Sequence, residues 1–197
     1  MIDHYEQFAD LLEYPITKLD ANLTAGSEED TLTSFRSRLA MLTLSDLQEL
    51  YTRTFDLNPA CALEVGYHLF GENYKRGELL ANLRATEAPF ELGQTQQLPD
   101  YLPVLLRLLP KLGDQELRSS LISECMVPAI EKMLKSFKET DNPYRFLLET
   151  VCATLQTEAP DGSIGTGHFN ERANLPVIQP LEQAARFVGS AREHFSE

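Results

Sequence analysis

The chain has 197 residues, 43% of them hydrophobic, and a formal net charge of −13; that is enough for one domain with a real core. So acidic a surface excludes nucleic acid and anionic membranes as partners, and leaves a basic polypeptide as the complementary one. No run approaches the ~18 apolar residues of a membrane span, and Met1 to Glu6 lacks the basic-then-apolar order of a secretory signal, so the expected compartment is the cytoplasm.

Hydrophobic spacing is helical nearly throughout. Residues 4–13 place Tyr5, Phe8, Leu11 and Leu12 on one face, and Pro15 ends the segment. Residues 28–42 carry Leu32, Phe35, Leu39 and Leu42. A third segment opens on a capping box read at Ser45 and Gln48, then runs Leu47, Leu50, Tyr51, Thr54 and Phe55 along one stripe. Asn58-Pro59 predicts an N-cap with proline at the first helical position, the helix running to Phe70 with Gly71 after it. On that reading Cys61 and His68 share a helix face. Residues 73–84 form a fifth segment.

Residues 85–98, with Pro89, Gly93 and three glutamines, read as an exposed connection. Residues 100–109 are apolar almost all round, which predicts burial on several sides, and Pro103 sits in the first turn. A segment from Asp114 to about Met126 is ended or kinked by Pro128. The next runs to Glu139 with Ile130, Met133, Leu134 and Phe137 inward, and Asp141-Asn142-Pro143 opens the last one. Past residue 156 the chain turns polar and glycine-rich. Residues 157–197 are expected to be a partly mobile extension with a possible short helix at 181–195. The fold predicted is all-α: a single-domain helical bundle of about eight or nine helices over residues 1–156.

Chemistry-bearing motifs are sparse. There is no C-x-x-C and no H-E-x-x-H, so no metal site is expected. Cys61, Cys125 and Cys152 each lie in an apolar pattern and read as reduced, buried thiols. Gly162 to Gly167 lacks the following Gly-Lys-Ser/Thr of a phosphate loop and reads as a connector. No serine sits in a G-x-S-x-G elbow, and only His68 of the four histidines lies in a well-patterned helix. Neither an enzyme nor a cofactor is expected; an acidic hydrolase site assembled in space is the residual enzymatic alternative.

Three clusters stand out together: Leu11-Leu12-Glu13-Tyr14-Pro15; Leu50-Tyr51-Thr52-Arg53-Thr54-Phe55-Asp56, with Asn58-Pro59 and Gly66-Tyr67-His68-Leu69-Phe70-Gly71; and Leu98-Pro99-Asp100-Tyr101-Leu102-Pro103. In this order they resemble the NarJ family of nitrate reductase assembly chaperones, within the wider TorD/DmsD group of molybdoenzyme maturation chaperones. The resemblance covers about residues 4–156. It implies a TorD-like helical fold, no catalytic site, and binding of the N-terminal segment of a molybdenum-containing catalytic subunit. It further implies that the subunit is held open for molybdenum cofactor insertion before membrane docking or export. Tyr101 stands where the wider group often has histidine, so imidazole chemistry is not expected at that place, whereas a hydroxyl can still bond a peptide backbone.

A groove between helices, lined by aromatic and apolar side chains, accepts an amphipathic peptide helix. The candidate peptide-binding residues are Tyr51, Phe55, Tyr67, His68, Pro99, Asp100 and Tyr101. Each has a plainer reading. Tyr51, Phe55, Tyr67 and Tyr101 fit core positions, His68 fits a satisfied histidine, and Asp100 fits the N-cap or first turn of its own segment. Residues 87–100 could gate the groove, and an acidic rim would speed encounter with a basic segment. The other function class consistent with the sequence is a helical adaptor or regulatory scaffold with an unrelated partner. The chain is expected to be a monomer or a homodimer.

Overall fold

The computed structural model describes residues 4–17, 32–90, 92, 97–137 and 141–159, and what it describes is helical, as expected. The helices are α1 (His4–Leu11), α2 (Leu32–Ala40), α3 (Leu44–Tyr51), α4 (Val65–Phe70), α5 (Tyr74–Glu87), α6 (Leu102–Leu108), α7 (Gln115–Ser120), α8 (Val127–Ser136) and α9 (Pro143–Glu158). Helix α1 packs on α6, α2 on α9, and α8 on both α4 and α9. Among the described residues no helix is long and apolar enough to cross a membrane. The expected extension lies, from residue 160 on, outside the described residues, as do the glycine-rich connector and residues 28–31 and 138–140.

The predicted stripes form the core. Phe8, Leu12, Phe35, Leu47, Leu105, Ile130, Met133, Leu147 and Val151 are all buried, as are Cys61, Cys125 and Cys152, each a free thiol. Helix α6 is buried on nearly every side, with Arg107 reaching out. That guanidinium bonds Glu6 at 2.9 Å, Asp10 at 2.7 Å and Glu13 at 2.5 Å, which pins α1 against α6. The three carboxylates are about half exposed, so solvent screening leaves each pair weak. Arg107→Ala should therefore cost only about 1–2 kcal/mol, read as a lower urea midpoint at unchanged slope.

Four local expectations need correction. The capping box of α3 sits two residues earlier than read: Thr43 Oγ1 accepts from the Asp46 N–H at 3.2 Å, and Asp46 Oδ2 accepts from the Thr43 N–H at 3.0 Å. Aspartate in the first turn thus serves as the return arm that the sequence reading gave to Gln48. The segment from Asn58 to Phe70 is not one helix. A 3₁₀ turn, Pro59–Cys61, gives way to extended backbone before α4 starts. Leu63 and Val65 there bond residues 100 and 102 of a distant segment, with an antiparallel bridge between Glu64 and Tyr101. Cys61 and His68 consequently do not share a helix face.

The third correction concerns residues 85–98. Helix α5 continues to Glu87, which is buried and paired with Arg84, so the connection begins only at Ala88. Fourth, Pro128 neither ends nor breaks its helix. A π-helical turn, Leu121–Met126, precedes it, and the Val127 N–H reaches back to Ile122. The wider turn absorbs the proline, which sits at the start of α8 where its missing N–H has least effect.

Candidate functional site

The β-bridge that splits the Asn58–Phe70 region also builds the site. Leu98, Pro99, Asp100 and Tyr101 form a turn in which the Tyr101 N–H bonds the Leu98 carbonyl at 3.1 Å. Proline follows the first residue of that turn, where its fixed φ is favoured. The turn splits its side chains between two environments: Leu98 is 45% exposed, while Asp100 is fully buried. On the facing side, α3 runs into a π-helical turn, Thr52–Asp56, closed by a bond from the Leu57 N–H to the Thr52 carbonyl. One wider turn re-aims Phe55 and Asp56 relative to a regular helix. Buried Asn142 anchors this turn, bonding Thr54 Oγ1 at 2.9 Å while capping α9.

Between these pieces lies an open cleft of about 510 Å³, in the size range of ligand pockets. Tyr51, Phe55, Tyr67 and Tyr101 supply its aromatic surface. Pro59, Ala62, Leu63 and Leu98 supply the aliphatic part, and Asp56, Glu64 and Arg76 the charges. The floor continues inward as a ring cluster: Tyr51 and Phe55 lie 5.0 Å apart edge to face, and Phe55 and Tyr144 lie 4.9 Å apart. Tyr14, half exposed, stands edge-on to Tyr51 at 5.4 Å.

The tyrosine hydroxyls are ordered by their partners. Tyr51 donates to the Leu12 carbonyl at 3.1 Å, and the Tyr51 and Tyr101 oxygens are 2.9 Å apart. The Tyr101 hydroxyl also lies 3.5 Å from the Leu12 carbonyl, so the two hydroxyl protons serve this trio and the Tyr101 oxygen keeps acceptor capacity. Burial, followed by the facing carboxylates of Glu13, Glu64 and Asp56, pushes the Tyr101 hydroxyl up to about 12. Burial likewise raises that of Tyr51.

Of the seven candidate residues, the structure brings Tyr51, Phe55, Tyr67 and Tyr101 together on the cleft. Tyr51 and Phe55 are at once core and cleft, nine-tenths or more buried with one edge on the opening. The other three are placed differently. His68 is half-buried with Nε2 donating to the Ala62 carbonyl at 2.6 Å, and burial holds its imidazole below the ordinary histidine value. Pro99 is buried in the turn.

Asp100 does not cap its own helix; Tyr101 holds that position. Its Oδ2 accepts from the Gly66 N–H at 3.2 Å, in the first turn of α4, and from Arg76 Nε at 3.1 Å. Arg76, with its guanidinium 5.8 Å over the Tyr67 ring, is a cleft residue that no sequence signal marked. Asp56 and Leu98 lay inside the recognised clusters but were not singled out.

Helices folded around an aromatic cleft with acidic groups on its wall define an all-α protein with an open cleft between its elements. A family model described as nitrate reductase delta subunit matches residues 10–146, and the chain belongs to that family. A relative in Escherichia coli (strain K12), the probable nitrate reductase molybdenum cofactor assembly chaperone NarW, is 26% identical over 178 residues, covering 87% of this chain and 76% of that protein.

Proposed function

We propose that this protein is a non-enzymatic assembly chaperone for a nitrate reductase or related molybdoenzyme. It binds the N-terminal region of the apo catalytic subunit in the cytoplasm and keeps that subunit receptive to its molybdenum cofactor before membrane docking or export. Membership of the family and the likeness to NarW support the client class. The observation that supports peptide capture is the cleft itself. Its aromatic surface and the half-exposed Leu98 offer apolar area to one face of an amphipathic segment.

The test is calorimetric titration of the purified chain with the N-terminal segment of a nitrate reductase catalytic subunit from the same organism. Saturable one-to-one binding without turnover is expected. Leu98→Asp and Tyr67→Ala should each weaken it roughly tenfold or more, the scale at which central interface side chains act, with little change in melting temperature because neither is a core residue. Undisturbed affinity in both variants would place the peptide elsewhere. Absence of binding to the folded chain would refute the proposal.

A further inference from the structure

The cleft carries more negative charge than it compensates. Among the described residues Arg76 is its one cation, and that charge is already matched by fully buried Asp100. Asp56, exposed, and Glu64, half-buried, also line the cleft, and neither has an ion-pair partner among the described residues. Tyr101 also lines the cleft, and its hydroxyl proton is taken up within the trio it forms with Tyr51 and the Leu12 carbonyl, which leaves its oxygen able to accept. The described charged groups of the wall therefore leave a net negative charge. The remaining wall is aromatic and aliphatic, and exposed Leu57 follows Asp56 at the rim.

We propose that Asp56, Glu64 and the Tyr101 hydroxyl form a specificity pocket for a basic side chain, an arginine or lysine of the bound polypeptide. An apolar residue on the same face of that polypeptide packs against Phe55 and Leu98. This deepens the chaperone reading and rests on it. Charge complementarity selects the occupant. A cation donates to Tyr101 and neutralises the two carboxylates, whereas an acidic residue meets both carboxylates and finds the Arg76 charge already matched by Asp100. Arginine is favoured over lysine, because its planar fork reaches two acceptors at once and stacks on rings.

The experiment uses the full chain and the N-terminal segment of the same organism's nitrate reductase catalytic subunit, each basic residue of that peptide replaced in turn by glutamine. It is paired with the protein variants Asp56→Asn and Glu64→Gln, checked for unchanged melting temperature. One peptide position is expected to lose affinity roughly three- to tenfold on wild-type protein and to lose much less on either variant. That coupling should shrink as salt rises. Should the peptide bind tightly while no basic position couples to Asp56 or Glu64, the specificity pocket is overturned and the chaperone reading stands. Should the unmodified segment fail to bind at all, both are overturned together. Tyr101→Phe gives an independent readout. It keeps the ring and removes the acceptor, and is expected to weaken binding of the wild-type peptide but not of the glutamine peptide that lost affinity.

Discussion

Stability is expected to collapse on the alkaline side, beginning near pH 9 and complete before pH 12. The cause is the number of weakly acidic groups that the fold has taken from water. Burial pushes the Cys152 thiol up to about 11 and that of Cys125 up to about 12, from an ordinary 9.0; Cys61 moves in the same direction. Burial raises Tyr5, Tyr51 and Tyr144 as well, and takes Tyr101 to about 12 from 10.0. Each is neutral when protonated, so the fold disfavours the charged form. Above the ordinary value the unfolded chain has released its proton and the folded chain has not. The unfolded state then binds fewer protons, and stability falls with rising pH until the folded value is passed. The contribution is intact below pH 9 for the thiols and below 10 for the phenols. Beyond that, each group costs about 1.4 kcal/mol per pH unit, and several act together. By pH 11 the loss is on the order of 5 kcal/mol or more, comparable with the whole stability of an ordinary domain. Melting temperature measured against pH in reducing buffer reads this directly, and in a Tyr14→Phe, Tyr67→Phe, Tyr74→Phe background, which leaves only Tyr5, Tyr51, Tyr101 and Tyr144, tyrosinate absorbance should appear only as helicity is lost. Ionisation near pH 10 with the circular dichroism unchanged would mean that these rings are open to water.

The helical core was legible because its signal is local. Spacings such as Leu47, Tyr51 and Leu147, Val151 need only a period of 3.6 to announce an inward face, and those residues are buried as read. The breaks were less legible because their causes lie far along the chain. Residues 62–64 carry no sequence signal against a helix; they leave it because Leu63 and Val65 find partners at residues 100 and 102. The same long-range pairing removes Asp100 from the N-cap that its position suggested and delivers its carboxylate to α4 and Arg76. Both π-helical turns were equally hidden, since an extra residue in a turn leaves the apolar pattern nearly intact. For the cleft, the clusters around Tyr51, Tyr67 and Tyr101 pointed to the right part of the chain. Charge assignment within it required three dimensions: Asp56 and Glu64 are ordinary acids in an acidic sequence until Arg76 is seen to be taken by Asp100.

That exchange makes Asp100 the residue whose loss should disturb the wall of the cleft most. The carboxylate is wholly buried, and its Oδ1 has no hydrogen-bond partner among the described residues, so burying it is itself costly. What offsets that cost is that Oδ2 receives both the Gly66 N–H and Arg76. Asp100→Ala would strand a buried amide and leave Arg76, 20% exposed, without its counter-charge; roughly 2–4 kcal/mol of destabilisation is expected. Asp100→Asn keeps the acceptor and loses the charge, so it should fall between. Gly66 makes the contact specific. A Cβ there would stand 2.7 Å from Asp100 Oδ2 and 3.0 Å from Leu79 Cδ2, so Gly66→Ala must push the carboxylate aside, at about 1–3 kcal/mol. The two substitutions act on one junction and should not add. With Asp100 already alanine, the nearest clash is gone and Gly66→Ala meets only the side-chain carbons Leu79 Cδ2 and, at 3.3 Å, Arg76 Cγ, so the double variant should be more stable than the summed losses by about 1 kcal/mol. Denaturant unfolding of the four proteins gives that coupling. Strict additivity would mean that the carboxylate does not rest against Gly66, and with it would go the account of how the bridge, α4 and Arg76 are held as one wall.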